Sequence, residues 1–450
     1  MLPNFLRNRF TSQLLLLATP FIFIWIGIYF ISKIAESGIH GFLHPEAEQR
    51  LYLLTQNSSL QYRLFSVHIN DAYQGRTLAG ILDFIDYQFV HYSLNHQFIH
   101  FYSITAIFCI VAIFFITYHC LHKQLLFSKI SAYLLSTLLL SSNSYIFALP
   151  LFRSSKVYSA LCIAATISLM ISLLKKDRGA LARMMLLLFV TLIGFHVDAQ
   201  GAYLQIIIYL PFIFFCYQQR KKLLYQSTTL ILFICLVVKF ITLFYLEPSL
   251  ILKFSGETIN LKYTKTNPFD LLHIDILANG VMYAFHGLSQ LFGSLLFVGI
   301  GIPIFWKKIA FNNDLKKLDG FIFLALFLLF AILFQKHWPI AWVDVRLFGY
   351  YLLPVTTIYL YLFSINLAAI KDVISPMKVN LAVIGLILFN LVSIYSNLIY
   401  LKNGHLQLAL SEDLRGVLRN PTEYDLRKLG DRPITRYIRE NRPFISINHQ

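Results

Sequence analysis

A short polar segment near the amino terminus carries the residues best suited to acid–base chemistry. Asp71, Gln74 and Arg76 lie within six residues in a chain that is otherwise strongly apolar. An aspartate can act as general base toward a hydroxyl group, and the Gln and Arg side chains beside it can bind a polar or anionic substrate. The structural alternative is that Asp71 caps a helix that starts just after it. The segment therefore predicts either a catalytic carboxylate with two substrate-binding neighbours or a capped helix start.

An amphipathic pattern begins directly after this segment. Its apolar residues recur at the spacing of one helical face, and they are Leu78, Ile81, Leu82, Ile85 and Phe89. Arg76 and Asp83 are expected to project from the other side of the helix. A helix of this kind can lie flat on a membrane, so we expect a surface helix beside the candidate carboxylate.

The composition of the chain is typical of membrane proteins. Hydrophobic residues make up 57% of the 450 residues, charged residues only 13%, and the mean hydropathy is +0.63. Several apolar runs reach the length of about 20 residues that a helix needs to cross a hydrocarbon layer about 30 Å thick. These runs are continuous and do not alternate with period two, which disfavours a β-barrel. The predicted fold class is all-α, a polytopic transmembrane helical bundle.

The net charge of +16 could suggest binding to nucleic acid. Many of the basic residues, however, cluster at the ends of apolar runs, where they act as topology signals and contact lipid head groups. We therefore expect membrane lipids as partners and no nucleic acid.

The apolar runs predict about eleven spans. With the amino terminus inside, the short inner loops are dense in Lys and Arg, as the positive-inside rule requires. The spans lie near 14–34, 98–119, 130–149, 157–174, 184–198, 202–217, 227–246, 284–305, 320–336, 347–369 and 380–401. Residues 1–401 thus form a membrane domain with long outer loops at about 35–97 and 247–283, and residues 402–450 form a polar tail. Amphipathic surface helices are expected in the first outer loop.

The outer ends of these spans carry the other candidate substrate-binding residues. They are Arg153, Lys156, His196, Asp198, His337, Asp344 and Arg346. Ionisable residues at membrane depth usually mark a functional site, and basic side chains beside serines suit a phosphate group. We expect five of them to line one outward-facing cavity together with Asp71: Arg153, Lys156, His196, Asp198 and Arg346. Asp198 would orient His196 or pair with a cation.

Several of these residues also have a purely structural interpretation. Arg153 and Lys156 could snorkel to lipid head groups. Residues 195–201 could form a tight polar turn in which Gly201 supplies the bend. Lys239 lies inside an apolar run and is interpreted as snorkelling unless a carboxylate pairs with it. The geometry of the folded chain decides between these alternatives.

The segment Ile69–Arg76 and the first outer loop resemble the GT-C superfamily of polytopic membrane glycosyltransferases. These enzymes share a first outer loop that contains an Asp or Glu and surface helices. The resemblance implies that Asp71 is the catalytic carboxylate and deprotonates an acceptor hydroxyl. It also implies that Arg153, Lys156 and Arg346 hold the phosphate of the donor.

The resemblance also implies the substrates and the location. The donor is a polyprenyl-phosphate-linked sugar, the acceptor is a glycan, lipid or protein, and transfer takes place on the outer (periplasmic or luminal) face. The expected location is the bacterial inner (plasma) membrane. The family's acid is often followed by further acidic residues, whereas here Asp83 and Asp86 come a dozen or more residues later. No metal-ligand set is obvious, so a divalent cation is left unassigned, and no other cofactor is predicted.

Two other classes of function are alternatives to glycosyl transfer. A polysaccharide polymerase or ligase also uses polyprenyl-linked substrates, but it concentrates its outer polar residues in a late loop. A non-enzymatic lipid or solute transporter is expected to have internal repeats and helices broken at mid-membrane. The largest outer loop of this chain is its first, and no convincing repeat is found. Glycosyl transfer is therefore the preferred hypothesis.

Overall fold

The structure, a computed structural model, describes residues 9–34, 59–65, 76–95, 103–146, 155–175, 179–256, 258, 352–369 and 375–400. Within these ranges the regular secondary structure is helical, with no strand, which confirms the predicted all-α class. The helices are α1 (Arg9–Ile34), α2 (Leu60–Phe65), α3 (Thr77–Asn95), α4 (Ile104–His119), α5 (Lys129–Leu140), α6 (Asn143–Ile146), α7 (Ser155–Lys175), α8 (Ala180–Val197), α9 (Ala199–Gln218), α10 (Lys222–Ile241), α11 (Glu247–Ser255), α12 (Leu353–Ala369) and α13 (Pro376–Tyr400). Two π-helical turns, Cys120–Gln124 and Thr242–Leu246, extend α4 and join α10 to α11.

Six of the described helices are long and apolar enough to cross a membrane. They are Ile104–Gln124, Ser155–Lys175, Ala180–Val197, Gly201–Gln218, Lys222–Ser255 and Pro376–Ser396. This is the character of a multi-pass membrane protein, as the composition predicts. The predicted spans 284–305 and 320–336 lie outside the described residues, as do most of the second outer loop and the tail, so the count of eleven stays a prediction.

Helix α7 occupies the centre of the bundle and packs against α4, α8, α9 and α12. It is buried over 72% of its apolar stretch, whereas the helix Lys222–Ser255 is buried over only 17%. Small residues such as Ser159, Ala160 and Ala164 lie on α7, and small side chains let neighbouring helices approach closely in a membrane. Helix α7 is therefore the element that brings polar groups of several helices together.

Within the predicted span 130–149, the helix breaks after Leu140. The hydroxyl groups of Ser141 and Ser142 donate to backbone carbonyls three residues earlier, at 2.9 and 2.7 Å. Serines that bond locally to the backbone in this way compete with helix continuation. Helix α5, at about 18 Å, is consequently shorter than the hydrocarbon layer.

The polar groups at this break find partners inside the protein. Ser144 donates to Thr356 on α12 at 3.0 Å, and the hydroxyls of Tyr145 and Thr357 lie 2.7 Å apart. All four residues are buried. The interruption is thus a packed junction between α6 and α12 in which the buried hydroxyl groups pair with one another.

Basic residues gather where α7 ends and α8 begins, which we call the basic end. Lys175 donates to the carbonyl of Gln124, and Lys221 donates to that of Leu174 at 2.9 Å. The last carbonyls of a helix have no intrahelical donor, so these lysines satisfy them. The four carboxylates in the described part of the chain lie toward the opposite end, as the predicted charge segregation requires: Asp83, Asp86, Asp198 and Glu247.

Candidate functional site

The direction of the chain reverses at a single residue between α8 and α9. Asp198 is extended, with φ −155° and ψ 147°, while Val197 ends α8 and Ala199 begins α9. The prediction that Gly201 supplies this bend is wrong, because Gly201 lies within α9. A Cβ atom at Gly201 would lie 2.6 Å from Ser159 Oγ on α7. Gly201 therefore permits the close approach of α9 to α7 that carries Asp198 to the start of α7.

Asp198 is fully buried and is held by two cationic side chains from different helices. Lys156 Nζ, in the first turn of α7, lies 2.5 Å from Asp198 Oδ2. Arg76 Nε, just before α3, lies 3.4 Å from Asp198 Oδ1. We call Arg76, Lys156 and Asp198 the Asp198 cluster. The structure thus brings together three of the residues predicted from sequence, and Asp198 pairs with cations as one of the expected alternatives requires.

Lys156 does not snorkel. Only 8% of the residue is exposed, and its ammonium group donates a hydrogen bond to a buried carboxylate. Two features of the sequence make this contact possible, since Lys156 lies in the first turn of α7 and Asp198 at the start of α9, and both helices start at the same end of the bundle. An isolated lysine in that position would be costly, and pairing with Asp198 offsets part of that cost.

The charges around Asp198 keep it ionised. Burial alone would raise the pKa of its carboxyl group, but the positive charges of Lys156 and Arg76 outweigh burial and hold the pKa below its ordinary value. The contact with Arg76 is looser than that with Lys156. The Arg76 side chain is 21% exposed, against 10% for Lys156, and Asp198 Oδ1 receives no hydrogen bond within the described residues.

A second layer of charge surrounds the cluster. Lys239, near the end of α10, lies within electrostatic range of Glu247, Arg76 and Asp198. Glu247 accepts a hydrogen bond from the hydroxyl of Thr77, the first residue of α3. Lys239 thus has the carboxylate neighbours that the pairing alternative required. The sequence could not place Lys239 at the site, because Arg76 and Asp198 are distant from it in the chain.

Helix α3 is present as predicted, but its polar residues face inward. Asp83 is buried and accepts from Arg63 of α2 at 2.8 Å, whereas Ile85 and Phe89 are 49% and 40% exposed. Asp83 thus lies on the side of α3 opposite Ile85 and Phe89, as predicted, but this side faces the protein interior. Buried ionic partners on other elements decided the rotation of the helix, and periodicity alone could not show them.

A second polar centre ties α3 to the start of α4. Asp86 Oδ2 accepts from the hydroxyls of Ser103 and Thr105 at 2.5 and 2.6 Å, and its Oδ1 accepts from the backbone N–H of Thr105 at 2.9 Å. The hydroxyl of Tyr158 on α7 also donates to Oδ2, at 3.4 Å. Asp86 thus caps α4 from a different helix, and only its chemical type, as an acid on a largely apolar helix, could have indicated this role.

The pH dependence of stability tests the environment of Asp86. Burial raises its pKa to about 6, although the hydrogen bonds from Ser103 and Thr105 act in the opposite direction. A carboxyl group that binds its proton more tightly when folded contributes stability below its unfolded pKa of about 3.9, and this contribution is lost as the pH rises through about 6. We expect the free energy of unfolding to fall by about 2 kcal/mol across that window in wild type and not in Asp86→Asn. Equal slopes in the two proteins contradict this prediction.

The other predicted site residues are only partly placed by the structure. His196 lies in the last turn of α8, partly buried and within electrostatic range of Lys239, and it makes no hydrogen bond to Asp198 in the described set. Six residues lie outside the described ranges: Asp71, Gln74, Arg153, His337, Asp344 and Arg346. The common cavity expected for them stays a prediction.

Metal ligation has no support from the residues that the structure describes. No group of three or more His, Cys, Asp or Glu side chains within those ranges could hold a metal ion. The five cysteines are all free thiols. A requirement for a divalent cation therefore stays open.

Comparisons of the chain with protein-family models, curated proteins and solved structures find no match. Function is therefore inferred from the chemistry of the Asp198 cluster and from the sequence resemblance.

Proposed function

We propose that the protein is a membrane glycosyltransferase that moves a sugar from a polyprenyl-phosphate-linked donor to an acceptor hydroxyl at the outer face. The observation that supports this most is the convergence of Arg76, Lys156 and Lys239 around Asp198 at one end of the bundle. Glu247 is the other carboxylate in this group. Three cations and two carboxylates leave an excess of one positive charge, which suits an anionic phosphate group.

Within this proposal the cations have different roles. Lys156 is held tightly by Asp198 and stabilises the start of α9, whereas Arg76 is looser and more exposed. Arg76 is therefore the group that turns toward the donor phosphate and neutralises the charge that develops as the sugar departs. The surface helix α3 carries Arg76 at its start, so the polyprenyl chain reaches the site beside α3 from within the membrane.

The role of Arg76 is tested with inorganic pyrophosphate as competitor. In liposomes that contain a polyprenyl-phosphate sugar, Arg76→Gln is expected to raise the inhibition constant of pyrophosphate about tenfold, because one charged hydrogen bond of about 1.5 kcal/mol is lost. The matched control is Arg183→Gln, which removes the same charge at the basic end, where Arg183 contacts Ser172. If the two variants bind pyrophosphate equally well, Arg76 is not the phosphate-binding group.

One observation favours a second candidate, a transporter. The break between α5 and α6 is the kind of discontinuity from which membrane transporters build substrate sites. Against it, Ser144 and Tyr145 at this break already have hydroxyl partners on α12. The same liposomes separate the two functions, because transport moves the lipid-linked sugar or a solute unchanged, whereas glycosyl transfer yields a free polyprenyl phosphate.

A further inference from the structure

The helix Lys222–Ser255 contains a π-helical turn where it leaves the bundle. At this turn the backbone N–H of Glu247 donates to the carbonyl of Thr242, five residues earlier. The cause lies in the next residue, Pro248. Proline has no N–H to donate to the carbonyl of Phe244, and its ring would clash with that carbonyl in an ideal α-helix. The extra residue in the turn relieves the clash.

The π turn changes which side chains face the Asp198 cluster. Lys239 and Glu247 are eight residues apart, so an uninterrupted α-helix would place them about 80° apart around its axis. One inserted residue removes about 100° of rotation and leaves them within about 20° of each other. This common face agrees with the electrostatic proximity of Lys239 to Glu247. Without the π turn, the carboxylate of Glu247 would turn away from the cluster.

Glu247 meets the first residue of α3. Thr77 donates its hydroxyl hydrogen to Glu247 Oε1, and a carboxylate at a helix N-terminus is also favoured by the helix dipole. The next residue toward the N-terminus is Arg76, whose side chain reaches Asp198. A restraint on Thr77 therefore restrains Arg76 as well.

Other contacts hold the same elements together. The rings of Phe65 on α2 and Phe254 on α11 stack with centroids 5.0 Å apart, and Arg63 on α2 binds Asp83 on α3. Helices α2, α3 and α11 thus form a cap over the Asp198 end. The contact from Glu247 to Thr77 joins two parts of this cap that are 170 residues apart in the chain.

We propose that Glu247 is a positioning residue: aimed by the π turn, it fixes the start of α3 through Thr77 and so keeps Arg76 at the Asp198 cluster. Its consequence for donor binding rests on the proposed function, but its effect on α3 does not. The residue does not touch the reacting groups and acts through Arg76.

The geometry is tested by crosslinking in a background whose five native cysteines are replaced. The pair Thr77→Cys and Glu247→Cys is expected to form a link with a short, reducible bis-methanethiosulfonate reagent. Pro248→Ala supplies the missing N–H and removes the ring clash, so it allows an uninterrupted α-helix in which position 247 is rotated by about 100°, and the link is expected to be lost. A link that forms equally well in the Pro248→Ala background overturns the proposed role of the π turn.

Positioning itself is tested by amide hydrogen exchange over residues 77–83. Glu247→Ala is expected to speed exchange there about tenfold, since a hydrogen bond to a charged acceptor is worth about 1.5 kcal/mol. Lys253→Ala, an exposed charge on the same helix, is the matched control and is expected to leave exchange unchanged. The crosslink between positions 77 and 247 is expected to restore protection, and reduction of the link to remove it. Unchanged exchange in Glu247→Ala, or no recovery on crosslinking, overturns the proposal.

Pyrophosphate inhibition then separates the two proposals. If Glu247 positions Arg76 at a phosphate site, Glu247→Ala weakens inhibition about as much as Arg76→Gln, and crosslinking restores it to within about threefold of the parent protein. If the parent is not inhibited at all while the exchange results hold, the proposed function is wrong and the positioning role of Glu247 stands. Thr77→Val, which removes the hydroxyl that donates to Glu247 and keeps the shape of the side chain, serves where the alanine variant does not fold.

Discussion

Replacing Asp71 with asparagine is expected to lower turnover of a polyprenyl-linked sugar by about two to four powers of ten. Asparagine has the size of aspartate but cannot take the proton of an acceptor hydroxyl, so the chemical step loses its base while binding persists. The residue lies outside the described ranges, and the prediction rests on its place beside Gln74 and Arg76. The measurement is single-turnover transfer by protein reconstituted in liposomes.

The control for Asp71→Asn is Asn70→Ala, which changes the neighbouring residue without removing an acid. Transfer at the wild-type rate in Asp71→Asn shows that another group is the base. If the variant fails to insert or to accumulate, the residue caps a helix instead, and its role is structural.

Asp198→Asn is expected to destabilise the protein by about 3–5 kcal/mol. The substitution leaves the ammonium group of Lys156 buried with no opposite charge on its nearest partner. It also removes the anion that holds Arg76 and the start of α9. The free energy of unfolding, measured by titration from mild detergent into SDS, gives the loss directly.

A double-mutant cycle distinguishes an ion pair from general packing. Lys156→Met keeps much of the length of the side chain without its charge, and the double variant Asp198→Asn with Lys156→Met is expected to be more stable than Asp198→Asn alone. Additive losses would mean that the two charges do not interact.

Acid is expected to lower the free energy of unfolding in the same direction as the Asp198→Asn substitution, because both remove the negative charge of Asp198. Because the pKa of Asp198 is lowered on folding, its contribution is present above pH about 4 and is lost as the pH falls further.

The class of the protein followed from composition and periodicity alone. Long apolar runs have few ways to satisfy their backbone hydrogen bonds in lipid, so helices were the expected result, and the described residues are helical. Segregation of charge also predicted that Lys156 and Asp198 lie at the same end of the bundle, since both flank the same ends of their spans. These inferences succeed because they depend on local composition and on the thickness of a membrane.

Tertiary structure decided which polar residues face each other. Periodicity placed Asp83 opposite the apolar face of α3, and only its contact with the buried guanidinium of Arg63 shows that this side of the helix faces the protein interior. The same limit applies to Lys156, for which snorkelling and pairing are indistinguishable until its distance to Asp198 is known. An ion pair between distant segments outweighs the modest preference of a helix for one rotation about its axis.

The contact of Glu247 with Thr77 depends most on the folded chain. Pro248 signals a local irregularity in the sequence, but whether it produces a kink, an end or a π turn depends on what the helix packs against. The break after Leu140 shows the same dependence, because Ser141 and Ser142 permit it and the buried hydroxyls of α12 stabilise it. Sequence determined the membrane helices through local burial and hydrogen bonding. Only the packing of helices that are remote in the chain determined how the side chains of Arg76, Lys156 and Lys239 converge on Asp198.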